Sequence, residues 1–361
     1  MLRIFLIVLG VIIVIGAITA FAITRDGKPI VPEGLGTVTT DAGTFEAFPL
    51  PDYAASVVSE DYKSYFVEVE PGIKIHVLEV GSGYPVYMQH GNPTSGLLYR
   101  KVAAALPTDR VRLIMPTMVG LGFSSKVPAS EHRLENHIRW MNTALEQLDL
   151  KEAVYVGQDW GGAVGMGALM QSPEIIQGAV VLNTAFTSPR EPLDISRAHA
   201  MVKTPVIGEL MLEVLFPIFY QLQDLQGDPD SFNKEVADLY GIPVRESGNG
   251  KAPVALMRMV PDGPDHRTAA PMLEIETYVK SLDIPVEIVW GMSDPIFARA
   301  LPVMENLFPN APVTQTKAGH FLQEEVPQEI ASAIMRVVDK VQTHEVNEPL
   351  TIDEVSEGEI E

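Results

Sequence analysis

Between residues 61 and 343, short β-branched apolar runs alternate with longer amphipathic stretches. This alternation predicts an α/β fold, in which helices cover a mostly parallel sheet. Eight strands are predicted, at 64–70, 73–80, 85–89, 111–115, 153–157, 178–182, 285–290 and 312–316. The first two alternate apolar and polar residues, which is typical of antiparallel strands, whereas later runs such as 153–157 are almost wholly apolar, as buried parallel strands are.

The interval 188–269 interrupts this rhythm, because amphipathic pieces broken by Pro and Gly replace the expected strands. Helices inserted between two strands would form a cap over the carboxyl edge of the sheet, where ligands bind in open α/β sheets. Earlier in the chain, Gly81-Ser82-Gly83 separates the second and third predicted strands and is interpreted as a hairpin turn.

The N-terminus carries an uncharged apolar run at residues 4–24. As a helix it would span about 31 Å at ~1.5 Å per residue, which matches the hydrocarbon core of a bilayer. We therefore predict a single-pass membrane anchor over 1–24. The flanking charges leave both orientations open, and we favour the one that places the globular domain on the extracytoplasmic side. A cleaved secretory signal is the alternative, because Arg3 precedes the run and Ala20-Phe21-Ala22 is an A-x-A pattern.

Two further segments flank the domain predicted at 61–343. Residues 25–60 are rich in Gly and Pro without a sustained period, which predicts a tether. Residues 344–361 contain seven acidic side chains and no Lys or Arg, which predicts a disordered acidic tail.

Composition excludes several classes of function. The 26 Lys and Arg residues face 47 Asp and Glu residues, and the net charge of -21 argues against a nucleic-acid partner. The chain has no cysteine, so disulfides, thiolate metal sites and cysteine nucleophiles are excluded. It also lacks HExxH and P-loop motifs, so we predict neither a metal nor a cofactor.

The segment 154–162, VYVGQDWGG, has the pattern of a strand, a sharp turn and a helix. Small residues surround Asp159, with Gly157 before it and Gly161 and Gly162 after it. This spacing is typical of a nucleophile elbow, in which a strained turn holds one side chain above the sheet. The structural alternative is an Asp that caps the helix beginning at Trp160.

Two later strand ends carry the partners of such a nucleophile. Asp294 follows strand 285–290 in GMSDP, and His320 follows strand 312–316 in KAGHF. Nucleophile, acid and histidine is the chain order of the α/β-hydrolase triad, and the joint coincidence favours this function over separate turn or cap roles. The loop HGNPTS after strand 85–89 would supply one oxyanion-hole N–H at Asn92, and Trp160 would supply the other.

A carboxylate nucleophile determines the class of substrate. Attack by Asp159 on an sp³ carbon gives an alkyl ester, so the predicted substrates are small hydrophobic alkyl halides or epoxides. His320 would activate the water that hydrolyses this ester, oriented by Asp294.

The two leaving groups need different partners. A halide needs only N–H donors, which the Asn92 amide and the Trp160 indole could provide. An epoxide oxygen needs general acids, for which Tyr220 and Tyr240 in the cap interval are candidates.

The motifs HGNPTS, GQDWGG, NTAF, RMVPDGPDH, GMSDP and AGHF together resemble a haloalkane dehalogenase over about residues 52–342. The resemblance implies an α/β-hydrolase fold with a helical cap and hydrolytic cleavage of carbon–halogen bonds. It implies that Asp159 is the nucleophile, His320 the base and Asp294 the triad acid. It also implies that Asn92 and Trp160 together bind the halide.

The resemblance is to the third branch of that family. One branch takes its triad acid soon after strand 178–182, but Glu191 lies too far along the chain for that position. Another branch takes a halide donor from a cap tryptophan, but Trp140, Trp160 and Trp290 all lie outside the cap. An epoxide hydrolase on the same triad is the alternative function. A non-enzymatic scaffold, which would predict a broken triad, and a luciferase-like oxygenase are the other interpretations.

Overall fold

The computed structural model describes residues 24–347 together with residues 16 and 19–21, apart from the side chains of residues 198 and 344–347. Ten strands of the described chain form one sheet in the order β1-β2-β3-β4-β6-β5-β7-β8-β9-β10. The strands are β1 (Thr37–Thr40), β2 (Gly43–Ala47), β3 (Lys63–Glu70), β4 (Ile73–Gly81), β5 (Tyr84–Gln89), β6 (Val111–Pro116), β7 (Ala153–Asp159), β8 (Ile176–Thr184), β9 (Val286–Gly291) and β10 (Val313–Thr316).

The sheet changes from antiparallel to parallel pairing at β6. Strands β1 to β4 and the β4–β6 pair are antiparallel, and every pair from β6 to β10 is parallel. The α/β fold and all eight predicted strands are confirmed, because the apolar, β-branched runs that predict them are the buried strands of this sheet.

The hairpin interpretation of Gly81-Ser82-Gly83 is wrong. β5 pairs with β6 and β7 and does not pair with β4, so these residues carry the chain across β6. Gly83 has a φ of +101°, and a Cβ there would lie 2.3 Å from the carbonyl oxygen of Arg110. The glycines therefore serve a close crossover and not a two-residue hairpin.

The tether prediction for 25–60 is wrong for much of that segment. β1 and β2 lie within it, and β2 joins the sheet through the pairs of Glu46 with Phe66 and Ala47 with Tyr65. The rings of Phe45 and Tyr65 stack with centroids 5.0 Å apart. These strands are short and mostly polar, so they depend on tertiary pairing and not on their own hydrophobic pattern.

Helical segments cover the sheet and form the cap. The α-helices are Asp52–Ala55, Arg100–Ala104, Leu134–Gln147, Trp160–Gln171, Arg197–Lys203, Ile207–Glu209, Lys234–Arg245, Ala252–Arg258, Ala269–Ser281, Leu301–Leu307, Leu322–Glu325 and Pro327–Asn347. Single turns of 3₁₀-helix lie at Gly96–Tyr99, Ala129–Glu131, Ile218–Tyr220, Leu222–Leu225, Pro229–Phe232 and Ala298–Ala300, and Leu210–Leu215 is a π-helix.

All of the regular secondary structure between β8 and β9 is helical, as the sequence predicts for the cap. Ala269–Ser281 packs against Trp160–Gln171, so the cap helices end at Arg258 and the chain then returns to the sheet layer. Large buried side chains such as Trp140, Tyr155 and Trp290 fill the space between the sheet and its helices. This core fixes the carboxyl ends of β5, β7 and β9 relative to one another.

Most of the predicted anchor at 4–24, and tail residues 348–361, lie outside the described residues. In the part of the chain that the structure covers, no helix has both the length and the apolar character needed to cross a bilayer. Helix Pro327–Asn347 includes the first four residues of the predicted tail, 344–347.

Candidate active site

Asp159 ends β7 in a strained conformation, with φ 51° and ψ -131°. The turn brings backbones so close that only glycine fits beside it: a Cβ on Gly161 would lie 2.2 Å from the carbonyl oxygen of Gln89. A Cβ on Gly162 would lie 2.0 Å from Oγ1 of Thr184, which itself donates to the Asp159 carbonyl at 2.6 Å. Such strain costs about 1–3 kcal/mol and is found at functional sites. The Asp159 side chain makes no N-cap hydrogen bond to the second or third residue of this helix, so helix capping does not account for its position.

The Asp159 carboxylate is held by two backbone N–H groups. Asn92 N donates to Oδ1 at 2.7 Å, and the N–H of Trp160 also bonds the carboxylate. Burial raises the pKa of Asp159, against the lowering effect of His320 and of these two donors. The N–H groups therefore orient a poorly solvated carboxylate without neutralising it.

His320 lies between the two predicted carboxylates. Its Nε2 is 3.7 Å from Asp159 Oδ2, and its Nδ1 is 3.0 Å from Asp294 Oδ2. Because Nδ1 faces a carboxylate that can only accept, Nδ1 carries the proton and Nε2 is left as the base. The structure thus brings together the three residues predicted as the triad.

Electrostatics agree with this division of roles. Burial lowers the pKa of His320, but its hydrogen bond to Asp294 and the charges of Asp294 and Asp159 outweigh burial, and the pKa is raised overall. Burial raises the pKa of Asp294, and the hydrogen bond to His320 with the other donors around Asp294 reverses this, so that its pKa lies below the usual value. Asp294 is therefore a permanent anion behind His320.

Sequence reasoning did not assign a role to Asn183, although it lies in the NTAF motif directly after the predicted strand. Its Nδ2 donates to Asp294 Oδ2 at 2.7 Å and to the Gly291 carbonyl at 3.0 Å, while its Oδ1 accepts from Gly291 N at 2.7 Å. The backbone N–H of Ile296 donates to the other Asp294 oxygen at 2.7 Å. Asn183 therefore couples the ends of β8 and β9 and positions the triad acid.

Two residues that contact His320 were also missed. Gln158 Nε2 donates to the His320 carbonyl at 3.0 Å and lies 3.3 Å from His320 Nε2. The Phe297 ring stacks on the imidazole with centroids 5.8 Å apart. Gln158 precedes the nucleophile in the GQDWGG motif, and that adjacency was the available signal.

The loop at 90–95 is rigidly held. His90 donates through Nδ1 to the Gly91 carbonyl at 2.8 Å and accepts through Nε2 from Met118 N at 2.9 Å. Burial lowers the pKa of His90 to about 4, so the ring stays neutral near pH 7. A Cβ on Gly91 would lie 2.4 Å from Asp159 Oδ1, which shows how closely this loop approaches the nucleophile.

Asn92 connects the same loop to the cap. Its side-chain Nδ2 donates to the Pro253 carbonyl at 3.1 Å, in cap helix Ala252–Arg258. Its Oδ1 is buried and has no hydrogen-bond partner among the residues that the structure describes. The contact with Pro253 uses one of the two Nδ2 protons and fixes the direction of the amide, and it is the backbone N–H of Asn92 that reaches Asp159.

A cavity of about 330 Å³ opens above Asp159. Trp160, Leu193, Val260 and Phe297 contribute to its largely apolar wall. Its size suits a small hydrophobic ligand, and Asp159 is the one acidic residue in the described lining.

The cap tyrosines do not reach this cavity. The Tyr240 hydroxyl donates to Glu324 Oε1 at 2.8 Å and accepts from Arg100 at 3.2 Å. The Tyr220 hydroxyl donates to Asp238 Oδ1 at 2.6 Å. Neither phenol is among the lining residues of the cavity, so these two candidate acids are not placed beside a substrate there and instead have structural hydrogen bonds.

The fold and site agree with a comparison against families of known proteins. A family model described as the alpha/beta hydrolase fold matches residues 84–327. The chain therefore belongs to the alpha/beta hydrolase fold family and is a hydrolase-type enzyme.

Individual relatives narrow this class. A haloalkane dehalogenase from Agrobacterium fabrum is 30% identical over 278 residues, which cover 72% of this chain and 86% of that protein. A cis-3-alkyl-4-alkyloxetan-2-one decarboxylase from Shewanella oneidensis is 28% identical over 291 residues, covering 78% and 90%. A solved variant of the haloalkane dehalogenase DatA from Agrobacterium tumefaciens has a TM-score of 0.66 and 26% identity, covering 80% and 99%. Within the alpha/beta hydrolases, the chain belongs to the haloalkane dehalogenase family.

Proposed function

We propose that this protein hydrolyses the carbon–halogen bond of small apolar haloalkanes through a covalent ester with Asp159. The observation that carries the proposal is the carboxylate itself, which faces an apolar cavity with His320 and Asp294 behind it. The five residues Asp159, His320, Asp294, Asn92 and Trp160 have the roles that the sequence suggested.

The first step is a substitution at carbon. Asn92 N holds Oδ1 of Asp159, so Oδ2 is the attacking atom. A C–O bond forms from Oδ2 to the alkyl carbon, the C–X bond breaks, and the halide leaves with the electron pair. The Asn92 amide and the Trp160 indole N–H donate to this anion, which needs no proton.

The second step hydrolyses the ester. His320 Nε2 removes a proton from water, and the resulting hydroxide attacks the carbonyl carbon of the Asp159 ester. The oxyanion develops on Oδ1, which already accepts from the backbone N–H of Asn92, and the Trp160 N–H that bonds the carboxylate is the proposed second donor. Collapse releases the alcohol and the proton, and one oxygen from water stays in Asp159.

Epoxide hydrolysis on the same triad is the alternative. An epoxide oxygen leaves as a basic alkoxide and needs an acid within hydrogen-bond reach. No tyrosine lines the described part of the cavity, and the hydroxyls of Tyr220 and Tyr240 are bonded elsewhere. These contacts favour a halide over an epoxide oxygen as leaving group.

The Shewanella relative motivates a second candidate, decarboxylation of a β-lactone. Attack by Asp159 on the ring carbon bonded to oxygen would expel a carboxylate, which, like a halide, leaves without a proton. Loss of CO₂ would then return its electron pair to form the alkene and release Asp159. This path uses the nucleophile and the anion donors but makes no use of water.

One experiment separates these activities. The full chain is incubated in parallel with 1-bromo- and 1-chloroalkanes, with terminal epoxides and with a cis-dialkyl β-lactone, and halide ion, diol and alkene are measured. We expect halide and alcohol, with the Asp159→Asn variant as the inactive control. Diol without halide would replace the proposal by epoxide hydrolysis, and alkene without halide would replace it by lactone decarboxylation.

We propose in addition that residues 4–24 anchor the enzyme in a membrane, with the catalytic domain extracytoplasmic. The support is the 21-residue uncharged run, whose helical length of about 31 Å matches a bilayer core. Flotation of the full chain with vesicles after an alkaline wash, together with its intact mass, tests this. A retained N-terminus in the floating fraction is expected, and a mass lacking about the first 22 residues, as an A-x-A site predicts, would establish a cleaved signal instead.

A further inference from the structure

The chain is attached to the domain almost as soon as the apolar run ends. Asp26 Oδ1 accepts from Ala129 N at 2.7 Å, and the Lys28 carbonyl accepts from Asn249 Nδ2 at 3.2 Å. Ile30 and Lys126 then exchange two backbone hydrogen bonds, at 2.8 and 2.9 Å. These contacts leave little free chain between the apolar run and the body of the enzyme.

This attachment limits how far the domain can lie from the end of the run. Gly27 is three residues after Thr24, and a fully extended chain spans at most about 3.6 Å per residue, or roughly 11 Å. Arg25 and Gly27 both line a cavity of about 670 Å³ whose other walls include Leu212, Val214 and Ile218 of the cap. The end of the apolar run and this side of the cap are therefore neighbours.

The cap presents an apolar surface beside that cavity. The consecutive residues Val214, Leu215 and Phe216 are 53%, 55% and 51% exposed. Single exposed apolar side chains are common, but three in succession at the end of one helix form a patch. Val214 also lines the cavity that Arg25 reaches, so the patch adjoins the chain leaving the apolar run.

The charge around this cavity differs from that of the whole chain. Arg25, Arg245 and Lys251 line it together with Glu213 and Glu246, three cations against two acids in a chain of net charge -21. Lys251 is ion-paired with Glu213 at 2.7 Å, so Arg25 and Arg245 are the cations that face Glu246 alone. Cationic side chains beside an apolar surface are attracted to the phosphates of lipid headgroups. Both the hydrophobicity and the charge of this side of the cap are therefore compatible with contact with a bilayer.

We infer that Val214, Leu215 and Phe216 form a lipid-contact surface that lies in the bilayer interface beside the anchor. The inference rests on the proposed anchor, and it goes further by fixing the orientation of the enzyme. The cap faces the lipid, and the helices on the outer faces of the sheet do not. Pro253 belongs to the same cavity wall and accepts the Asn92 amide, so the membrane-facing side of the cap is also the side that contacts the catalytic loop.

The absence of cysteine from the sequence allows a direct test. Phe216→Cys and, as a second position, Leu215→Cys are made in the full chain, labelled with an NBD fluorophore and reconstituted in phosphatidylcholine vesicles. The control is Val303→Cys, an apolar residue 39% exposed on helix Leu301–Leu307. Lipids carrying a nitroxide on the acyl chain quench only fluorophores that contact the bilayer.

We expect loss of NBD emission at 216 and 215 and unchanged emission at 303 when nitroxide lipid is added. Unquenched emission at 216 and 215 in chains that float with the vesicles would overturn the inference while leaving the anchor intact. A blue-shifted but unquenched label would point to a second copy of the chain on this surface and would also overturn it. Chains that do not float would refute the anchor itself, a separate outcome that removes the basis for this orientation.

Discussion

At the scale of single residues, the two oxygens of Asp159 have different surroundings, and this difference assigns their chemistry. Oδ1 accepts from Asn92 N at 2.7 Å, whereas Oδ2 faces His320 Nε2 at 3.7 Å. All five residues of the proposed site were named from motif positions in the sequence. Asn183 and the Pro253 carbonyl could not be, because their contacts join segments that are distant in the chain, and for Gln158 only its adjacency to Asp159 gave a signal.

Asn92→Ala tests the anion donor at this scale. The substitution removes a side-chain N–H from the halide but keeps the backbone N–H that holds Oδ1. We expect slower halide release by about 10–100-fold, since a hydrogen bond to a charged group contributes about 1.5–3 kcal/mol. Halide release is measured with bromoalkanes, and epoxide opening with any epoxide that the chain accepts. Equal losses in the two reactions would contradict the halide role.

Asp294→Asn tests the electrostatics of the base. His320 must be neutral to accept a proton, so the rate rises as pH passes upward through its pKa, which the unsubstituted enzyme holds above 6.5. Removing the Asp294 charge lowers that pKa and shifts the acid limb of the pH–rate profile to lower pH. The plateau should fall by about 10²–10⁴-fold through loss of oriented base catalysis. An acid limb at the same pH in both proteins would show that Asp294 does not set the pKa of His320.

At the scale of elements, the site is assembled from strand ends, and the cap is joined to the body by a buried polar cluster. Arg100 donates to both oxygens of Glu324 at 2.6 and 2.9 Å, and Tyr240 of cap helix Lys234–Arg245 donates to the same carboxylate. This cluster ties the segment after β5, the short helix Leu322–Glu325 after His320 and the cap together. It explains why Tyr240 is structural and not a catalytic acid.

The cluster predicts graded losses of stability. Glu324→Gln leaves the buried Arg100 charge without its partner and should lower the free energy of unfolding by about 3–5 kcal/mol. Tyr240→Phe removes only the hydroxyl and should cost about 1.5–3 kcal/mol while leaving halide release intact. Urea unfolding measures both, with the exposed Glu305→Gln as a control expected within ±0.5 kcal/mol of the unsubstituted protein. Loss of activity in stably folded Tyr240→Phe would reopen the acid role.

Strands were predicted well where burial requires an apolar sequence, and they were missed where it does not. Buried parallel strands such as β7 and β9 are mostly apolar on both faces, so the sequence predicted them well. β1 is an edge strand of four residues and β2, which joins it to β3, has five; both have little apolar pattern, so only their pairing in the sheet reveals them. The crossover at Gly81 and Gly83 was missed because strand order is a property of the whole sheet.

At the scale of the whole molecule, hydrogen bonds join the sheet, the cap and the N-terminal segment to one another. The sheet supplies Asp159, Asp294 and His320 at strand ends, and cap helix Ala252–Arg258 holds Asn92 over them. The segment at 25–60, predicted as a free tether, is instead bound to the body at both Asp26 and β2. This attachment is the basis of the orientation that we propose for the anchored enzyme.

The most direct test of the central claim is intact-peptide mass spectrometry of His320→Gln after incubation with a bromoalkane that the unsubstituted chain turns over. Without its base, the enzyme should complete the substitution but not the hydrolysis. We expect one halide released per chain and an alkyl adduct on the peptide carrying Asp159, absent in the double variant with Asp159→Asn. Continued turnover without an adduct, or an adduct on any other residue, would contradict the covalent mechanism.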